Sequence, residues 1–408
     1  MLFDRMGQLF SLKGVISGLI AALALETFHT LQVLNHNPSL FTDFDIYWAA
    51  GWLVDHGRNP YDLPALTQVI HSVGSHAWPA QGYSYPLFFI LLMAPLGLLP
   101  LTWAETIFSV LSVVALVPAV AMLIAWLERQ SNQPSWGEVI LLAILIGALI
   151  PVTGSLDVGQ VNLLLLPLLV LAFVEVAPGP LIAIVGAVKL YPILALATFF
   201  PRGKSGWQQI GVGGGLFVLL AILPNILLHL GGNTLKALFI PDGYWTNQSI
   251  NGFISRLVPT PGIFPASPLP LPSNFPTTPV MLLVTALLGC LVLAVIVIVR
   301  GRPWDGCMAL LLTYGCIAAP HNSLWNFTPL VISGIWCWSK VRKHPLARVL
   351  VVSWVLVEMQ CSISQRSPNY HFPIAWPLNS LALYGALMLG ILQVGLILCS
   401  RRAVMAVE

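Results

Sequence analysis

Long runs of apolar residues, separated by short polar stretches, recur along nearly the whole 408-residue chain. A helix needs about 20 apolar residues to cross the hydrocarbon core of a bilayer. The pattern predicts about twelve membrane-spanning helices, at 14–34, 83–99, 103–126, 138–152, 160–175, 180–200, 207–229, 279–300, 305–320, 324–339, 347–364 and 378–399. Two longer hydrophilic stretches, 35–82 and 230–278, lie between these runs. The sequence therefore predicts an all-α polytopic membrane protein with one domain over residues 1–408 and two long loops.

The composition excludes several classes of protein. Hydrophobic residues make up 57% of the chain and charged residues 8%, and the mean hydropathy is +0.85. Soluble proteins carry about 25% charged residues, so a soluble enzyme, a disordered scaffold and a nucleic-acid-binding protein are all excluded. The six cysteines lie in or beside apolar runs without the close spacing of metal ligands. They are predicted to be small buried side chains.

The distribution of lysine and arginine predicts the orientation, because these residues are enriched in cytoplasmic loops. With the N-terminus in the cytoplasm, most of the 18 Lys and Arg residues, including Lys13, fall on the inner side. Arg58, Glu128 and Arg129 then fall on the outer side. The prediction is a protein of the prokaryotic cytoplasmic membrane with both termini cytoplasmic and with both long loops external.

Polar groups are also predicted within membrane depth. The runs 138–152 and 160–175 are short for a crossing, and the connection between them, residues 151–162, is polar. Such a turn is tolerated only where protein buries it or a wet cavity adjoins it. Lys189 lies near the middle of the run 180–200, and an unpaired ammonium there is costly. We expect Lys189 to face the protein interior, neutralised by Asp157 or by a lipid phosphate.

The first long loop predicts a short helix with carboxylates at its start. Residues 41–62 read Phe-Thr-Asp43-Phe-Asp45-Ile-Tyr47-Trp-Ala-Ala-Gly-Trp-Leu-Val-Asp-His-Gly57-Arg-Asn-Pro60-Tyr-Asp. Apolar residues recur there at helical spacing, and Gly57 and Pro60 are expected to end the helix. The pattern is typical of an amphipathic helix on the outer membrane surface. Its two acids either complement the helix dipole or do chemistry.

This run resembles the first-loop signature of glycosyltransferase family 87, the polyprenyl-phosphate-sugar-dependent membrane enzymes of the GT-C superfamily. Further matching pieces follow in order along the chain: Tyr83-Ser-Tyr85-Pro86, Gly159-Gln160-Val-Asn162, Val188-Lys189-Leu-Tyr191-Pro192, and Asn247-Gln248-Ser249 with Arg256. The family's late Pro-x-x-Trp-x-His-His element is absent as such. The corresponding stretch, Pro320-His321-Asn322-Ser-Leu-Trp325-Asn326, contains one histidine, which leaves the sugar and the acceptor open.

The resemblance implies a GT-C-type arrangement of helices and an inverting transfer on the outer face of the membrane. The implied donor is a polyprenyl-phosphate sugar, with mannose favoured, and the implied acceptor is a hydroxyl of a lipid-linked or glycan molecule. A carboxylate must accept the proton of that hydroxyl. Asp43 is the implied base by position, and Asp45 is the alternative.

Cationic groups must stabilise the charge that grows on the leaving phosphate. Arg256 is the first candidate, ahead of Lys189, His321, His371, Arg366 and Lys236, although each could be an ordinary loop or headgroup-contacting cation. The matched motifs imply substrate-binding roles for Tyr47, Tyr85, Gln160, Asn162, Asn247 and Gln248. No cofactor is expected, although a divalent ion bound by Asp43, Asp45 and Asp242 is an alternative.

Other membrane functions stay open at this point. A secondary transporter or a lipid flippase could also have about twelve spans and a lysine within the membrane. The run lengths show no inverted repeat, and two long external loops favour the transferase. The expected partners are the donor, the acceptor and membrane lipids, without nucleic acid.

Overall fold

The computed structural model describes residues 9–35, 42–75, 77, 83, 85–130, 133–227, 240–243, 246–258, 272, 275–300, 303–365 and 380–405. Within these ranges the regular structure is helical, apart from an isolated bridge between Asn247 and Ser323. The predicted all-α class is therefore confirmed for the described residues. The chain forms two compact units: unit 1 comprises residues 1–193 and 211–237, and unit 2 comprises residues 194–210 and 238–408. The single-domain organisation stays a prediction.

Unit 1 begins with three helices, α1 (Leu12–Asn35), α2 (Thr42–Asp55) and α3 (Leu63–Ser72). It continues with α4 (Leu87–Gly97), α5 (Leu101–Glu128), α6 (Trp136–Ala148), α7 (Ile150–Asp157), α8 (Asn162–Phe173) and α9 (Pro178–Val188). The chain then passes through a 3₁₀ helix (Tyr191–Arg202), α10 (Gly203–Phe217), a π turn (Val218–Ile222) and α11 (Leu223–Leu227).

Unit 2 contains one short helix and several long apolar ones. They are α12 (Ile250–Ser255), α13 (Thr277–Ile298), α14 (Trp304–Ala318), a 3₁₀ turn (Leu324–Phe327), α15 (Leu330–Val341), α16 (Ala347–Gln365) and α17 (Leu381–Met405). Helix α17 packs against α14, α15 and α16, and α12 packs against α13. The segment that precedes α12 carries the Asn-Gln-Ser motif.

Five described helical segments are long and apolar enough to cross a membrane: 12–34, 101–128, 191–226, 277–298 and 381–400. The bent pair α6 and α7, with an angle of 42° between them, would make a sixth span. Other apolar helices, among them α4, α8 and α9, have 10–17 residues. The chain is therefore a membrane protein by composition and helix length, while the predicted count of twelve crossings is not confirmed.

The segment 191–226 folds back on itself. A straight helix of this length would measure about 54 Å. However, Lys189 Nζ lies 5.9 Å from the ring centroid of Tyr85, and Tyr61 Oη lies 2.9 Å from Tyr85 O and 3.0 Å from Asn225 Oδ1. Lys189, before the segment, and Asn225, near its end, therefore both lie close to Tyr85. The reversal comes at Gly203, which has the left-handed φ of 66°.

Polar contacts define two ends of unit 1. At one end, Lys13 Nζ lies 3.6 Å from Glu128 Oε1 and donates to Pro134 O at 3.2 Å. We call this the Lys13 end. At the other end of α1, His29 Nε2 lies 3.2 Å from Asp157 Oδ1, where α7 ends. Helices α1 and α5 are therefore antiparallel, and the start of α1 and the end of α5 lie at the same end of unit 1.

This arrangement corrects the predicted topology. Lys13 was expected inside and Glu128 outside, and that placement is wrong because the two side chains are in contact. The sequence predicts three crossings between them, at 14–34, 83–99 and 103–126, whereas the contact requires an even number. Residues 83–99 are the shortest of the three runs. Helix α4 has 11 residues, or about 16 Å, against a hydrocarbon core of about 30 Å. It packs along α2, where a Cβ on Gly97 would lie 2.5 Å from Trp52 N.

The predicted first-loop helix is present as α2. It ends at Asp55, and Gly57 follows with a φ of 66°, as the sequence predicted. Eight of its 14 residues are buried, and it packs against α3, α4 and α5. Protein thus covers most of the helix, and its predicted position on the membrane surface is not confirmed.

Candidate functional site

The start of α2 meets the polar turn between α7 and α8. Val158 O accepts hydrogen bonds from the backbone N–H groups of Asp43 at 3.0 Å and Phe44 at 3.2 Å. These are first-turn amides, which lack partners within a helix. Gly159 allows the turn because its φ is 69°, a value that L side chains rarely adopt. The polar turn is therefore anchored to the helix that carries both predicted acids.

A chain of side-chain hydrogen bonds leads from Asp43 into unit 1. Gln160 Nε2 donates to Asp43 Oδ2, and Tyr85 Oη donates to Gln160 Oε1 at 3.3 Å. The hydroxyls of Tyr85 and Tyr47 are 2.7 Å apart. Gln160 and Tyr47 are buried, whereas Asp43 is partly exposed. The structure thus brings four of the predicted residues together, with Asp43 at the accessible end.

Lys189 lies beside the same tyrosine. It follows the last residue of α9 in an extended conformation, with a φ of −123°. Its exposed fraction is 7%, and its Nζ lies 5.9 Å from the ring centroid of Tyr85. Lys189 therefore faces the protein interior, as predicted. Asp157, one of its two expected partners, lies against His29.

Asp45 has a different environment from Asp43, although only one residue separates them. Its exposed fraction is 5%, Ser75 Oγ donates to its Oδ2, and Glu105 also interacts with it. Burial raises the pKa of Asp45, the hydrogen bonds with Ser75 and Glu105 oppose that rise, and the charge of Asp43 adds to it. Asp45 is thus an internal group with its proton held more tightly than usual.

A cluster of tyrosines adjoins Gln160 through Tyr85. The ring of Tyr47 meets Tyr85 at a centroid distance of 5.0 Å and Phe89 at 4.9 Å, both edge to face. Tyr61 and Tyr83 extend this aromatic cluster, with centroids 5.8 Å apart. Burial raises the pKa of Tyr47 well above its ordinary value, and the neighbouring Tyr85 and Asp43 add to the rise. Its hydroxyl is therefore a neutral hydrogen-bonding group.

The sequence interpretation missed two residues of this cluster. Tyr61 belongs to the first-loop motif, and the sequence suggests no role for it, yet its hydroxyl contacts Tyr85 O and Asn225 Oδ1. Asn225 is buried and donates to Ala221 O at 2.5 Å. A lone asparagine inside an apolar run is the signal that could have identified it, because such residues need a polar partner within membrane proteins.

Asn162 supports the turn. It is buried, and its Nδ2 donates to Ser155 Oγ at 3.2 Å, while Ser155 Oγ donates to Pro151 O at 2.7 Å. These bonds tie the first residue of α8 to α7 beneath Gln160. These bonds indicate that Asn162 positions the turn, and its substrate-binding role stays a prediction.

Unit 2 contains a second polar cluster, centred on Asn247. This residue is 2% exposed. Its Nδ2 donates to Pro320 O at 2.9 Å and to Asp242 O at 3.0 Å, and its Oδ1 accepts from Asn322 N at 3.2 Å. Gln248 N donates to Asn322 O at 2.9 Å. The matched Asn-Gln-Ser motif is thus bonded to the Pro-His-Asn stretch, which lies about 70 residues later in the chain.

Arg256 is an internal residue of this second cluster. It is 8% exposed, and it donates from Nη1 to Asn247 O and from Nη2 to Ser380 Oγ, both at 2.8 Å. Burial lowers the pKa of Arg256 to about 10, with the charge of Asp242 acting in the opposite direction. These contacts indicate that Arg256 stabilises the segment that carries Asn247.

His321 is the more accessible cation candidate. Its Nδ1 lies 3.0 Å from Asp242 Oδ2, and the two side chains are 22% and 19% exposed. Lys236, Arg366 and His371 lie outside the described residues. Within the described ranges, no group of three or more His, Cys, Asp or Glu side chains could hold a metal ion.

Comparison with known proteins identifies the sequence family of the chain. A sequence model of glycosyltransferase family 87 matches residues 83–320, which is more than half of the 408-residue chain. A search of curated proteins finds no match. The matched range includes Tyr85, Gln160, Lys189 and Asn247; it begins after Asp43 and ends before His321 and Asn322. The motif resemblance seen in the sequence is thereby confirmed over this range, and the chain belongs to glycosyltransferase family 87.

Proposed function

We propose that this glycosyltransferase moves a sugar from a polyprenyl-phosphate donor to a hydroxyl of a lipid-linked or glycan acceptor, with Asp43 as the base. One observation carries the proposal. A partly exposed carboxylate at the start of a helix is held by Gln160, and Lys189 lies beside the tyrosine that contacts Gln160. A base and a cation close to one another are what an inverting transfer from a phosphate donor requires.

The chemical step is a single displacement at the anomeric carbon. The acceptor hydroxyl oxygen forms a bond to C1 of the sugar while the bond from C1 to the phosphate oxygen breaks. The hydroxyl proton passes to the carboxylate of Asp43, and the electron pair of the broken bond stays on polyprenyl phosphate. The attack on the opposite face inverts the anomeric configuration.

Each of the other residues in the Asp43 cluster has a role that follows from its contacts. Gln160 orients the carboxylate by donating to Oδ2, and Asn162 stabilises the turn that carries Gln160. Lys189 balances the charge that grows on the leaving phosphate. Tyr47 and Tyr85 form a neutral hydroxyl and aromatic surface suited to a sugar ring. Asp45 is buried against Ser75, which favours Asp43 over Asp45 as the base.

The proposed membrane location and orientation follow the predictions from the sequence. The helices take a GT-C-type arrangement in the cytoplasmic membrane of a prokaryote, with the N-terminus in the cytoplasm. The Asp43 end of unit 1 faces outward, because the opposite end holds Lys13. Mannose is the favoured sugar, arabinofuranose is the alternative, and neither a cofactor nor a metal ion takes part. The family match favours a transferase over a transporter or a flippase.

Purified protein incubated with a panel of polyprenyl-phosphate sugars and lipid acceptors tests the proposal. We expect transfer from at least one polyprenyl-phosphate sugar, with release of polyprenyl phosphate and with activity retained in EDTA. Nucleotide sugars should not serve as donors. Transfer from a nucleotide sugar alone, or complete loss of activity in EDTA, would contradict the proposed donor or the metal-free step respectively.

A further inference from the structure

One buried hydroxyl of the aromatic cluster in unit 1 lacks a hydrogen-bond partner. Tyr83 is 1% exposed, and its Oη is bonded to no group among the residues that the structure describes. The other tyrosines of the cluster differ in this respect. The hydroxyls of Tyr47 and Tyr85 are 2.7 Å apart, and Tyr61 Oη donates to Tyr85 O at 2.9 Å. Tyr83 is thus the exception in a cluster whose other hydroxyls are bonded.

Packing of the Tyr83 ring does not require its hydroxyl. The ring meets Tyr47 edge to face with centroids 6.5 Å apart, and it meets Tyr85 at 5.6 Å. A phenylalanine ring would keep both contacts. A buried polar group without a partner lowers stability, whereas an apolar group of the same shape does not. The physical explanation is a partner from outside the protein chain, either an ordered water molecule or a substrate.

The Tyr83 hydroxyl lies close to the groups assigned to the donor. Burial raises its pKa well above the ordinary value, and the neighbouring hydroxyls of Tyr61 and Tyr85 add to the rise. It is therefore a neutral group that can both donate and accept a hydrogen bond. Lys189 Nζ lies 5.9 Å from the ring centroid of Tyr85. All four residues belong to unit 1.

We propose that Tyr83 determines specificity for the donor sugar, because its hydroxyl forms a hydrogen bond with one hydroxyl group of that sugar. A sugar hydroxyl both donates and accepts, as the Tyr83 hydroxyl does. The donor is favoured over the acceptor because Lys189, the proposed contact of the donor phosphate, lies beside Tyr85. This inference rests on the proposed function and names a group that would select the sugar.

The Tyr83 hydroxyl is enclosed, so the donor reaches it only when a neighbouring side chain moves. Tyr85 is the side chain best placed to do so. Its contact with Gln160, at 3.3 Å, is the longest of the hydroxyl contacts in the cluster, and a long hydrogen bond is a weak one. A sugar that replaces this contact would enter between Tyr85 and Gln160.

Thermal melts of the protein alone distinguish a substrate from a water molecule as the partner of Tyr83. Tyr83→Phe should melt at the wild-type temperature or above it, because it removes a buried hydroxyl without a partner. Tyr61→Phe is the matched control. It should melt lower by about 1 °C or more, because Tyr85 O and Asn225 Oδ1 lose their donor. Equal destabilisation by both variants would contradict the inference, since Tyr83 would then have its partner before any substrate binds.

Donors that each lack one sugar hydroxyl identify the contact. With the wild-type protein, removal of the hydroxyl that Tyr83 binds should lower the donor kcat/KM by about 3–10-fold, as expected for one neutral hydrogen bond. Tyr83→Phe should show the same loss with the complete donor. With the deoxy donor, Tyr83→Phe should lower kcat/KM by no more than about twofold, because the bond is already absent. The acceptor KM should stay within about twofold of wild type.

Three kinetic results would overturn the inference. They are a wild-type donor kcat/KM in Tyr83→Phe, an equal effect of Tyr83→Phe with every deoxy donor, and a change confined to the acceptor KM, which would assign the hydroxyl to the acceptor. Any of these, with transfer by the wild-type protein intact, leaves the proposed function standing. If the wild-type protein transfers from none of the polyprenyl-phosphate sugars, both the proposed function and this inference fail.

Discussion

Lys13, in the first turn of α1, lies 3.6 Å from Glu128, the last residue of α5. This contact reverses the predicted sidedness of the α5–α6 connection, because it places that connection on the side of the N-terminus. The same arrangement puts the turn after α7 beside Asp43. We infer that α4, which with 11 residues is too short for a full crossing, is the predicted span that is absent.

Cysteine accessibility tests this topology. In a background without the six native cysteines, Arg58→Cys and Gln133→Cys place exposed thiols at the two ends of unit 1. A membrane-impermeant reagent applied to intact cells should modify position 58 and spare position 133 until the cells are permeabilised. Modification of both positions from the same side would restore the predicted crossing at 83–99.

The close approach of α2 and α4 predicts a stability defect. A Cβ at Gly97 would meet backbone atoms of Gly51 and Trp52 at 2.5–2.7 Å, and backbone cannot move aside cheaply. Gly97→Ala should therefore destabilise the protein by about 1–3 kcal/mol. Gly214→Ala is the matched control, since nothing lies within 4 Å of its Cβ position. Thermal melts in detergent measure both, and equal effects would contradict the packing argument.

The contact between His29 and Asp157 predicts that His29, which was not among the expected partners of Asp157, affects stability. His29→Leu should lower the melting temperature, because it leaves a partly buried carboxylate without its neighbour. Adding Asp157→Leu should restore part of the loss. Lys189→Met should raise the donor KM. If Lys189→Met lowered the melting temperature and Asp157→Leu restored it, Asp157 would be the partner of Lys189 and the argument from His29 would be contradicted.

Asp45 predicts a dependence of stability on pH. The folded protein binds the Asp45 proton more tightly than the unfolded chain does, where an aspartate has a pKa of about 3.9. Stability from this group is therefore present at low pH and is lost as the pH rises through the pKa of the folded state. Asp45→Asn carries no such penalty. Its melting temperature relative to wild type should increase from about pH 4 to pH 8, and a constant difference would contradict the burial argument.

The sequence predicted the class of fold and most residues of the Asp43 cluster. The lengths of the hydrophobic runs predicted α1, α5, α13 and α17 to within a few residues at most ends, because an unbroken apolar run long enough to cross a bilayer is a strong signal. The motifs named Asp43, Gln160, Tyr85 and Lys189, which the structure brings together.

Other features could not be predicted, for physical reasons. The run 83–99 has the composition of a span, but its helix has only 11 residues and packs on α2. Composition does not reveal this tertiary contact. Arg256 has the chemistry of a phosphate ligand, but its contacts with Asn247 and Ser380 depend on segments far apart in the chain. Charge and spacing do not reveal whether a side chain is buried.

The measurement that tests the central claim most directly is the transfer rate of Asp43→Asn with a saturating polyprenyl-phosphate sugar. Asparagine can still accept the hydrogen bond from Gln160, so the variant should fold, and its melting curve provides the check. Loss of the general base should lower kcat by at least about 100-fold, while Asp45→Asn retains transfer. A folded Asp43→Asn protein with the kcat of wild type would contradict the assignment of Asp43 as the base.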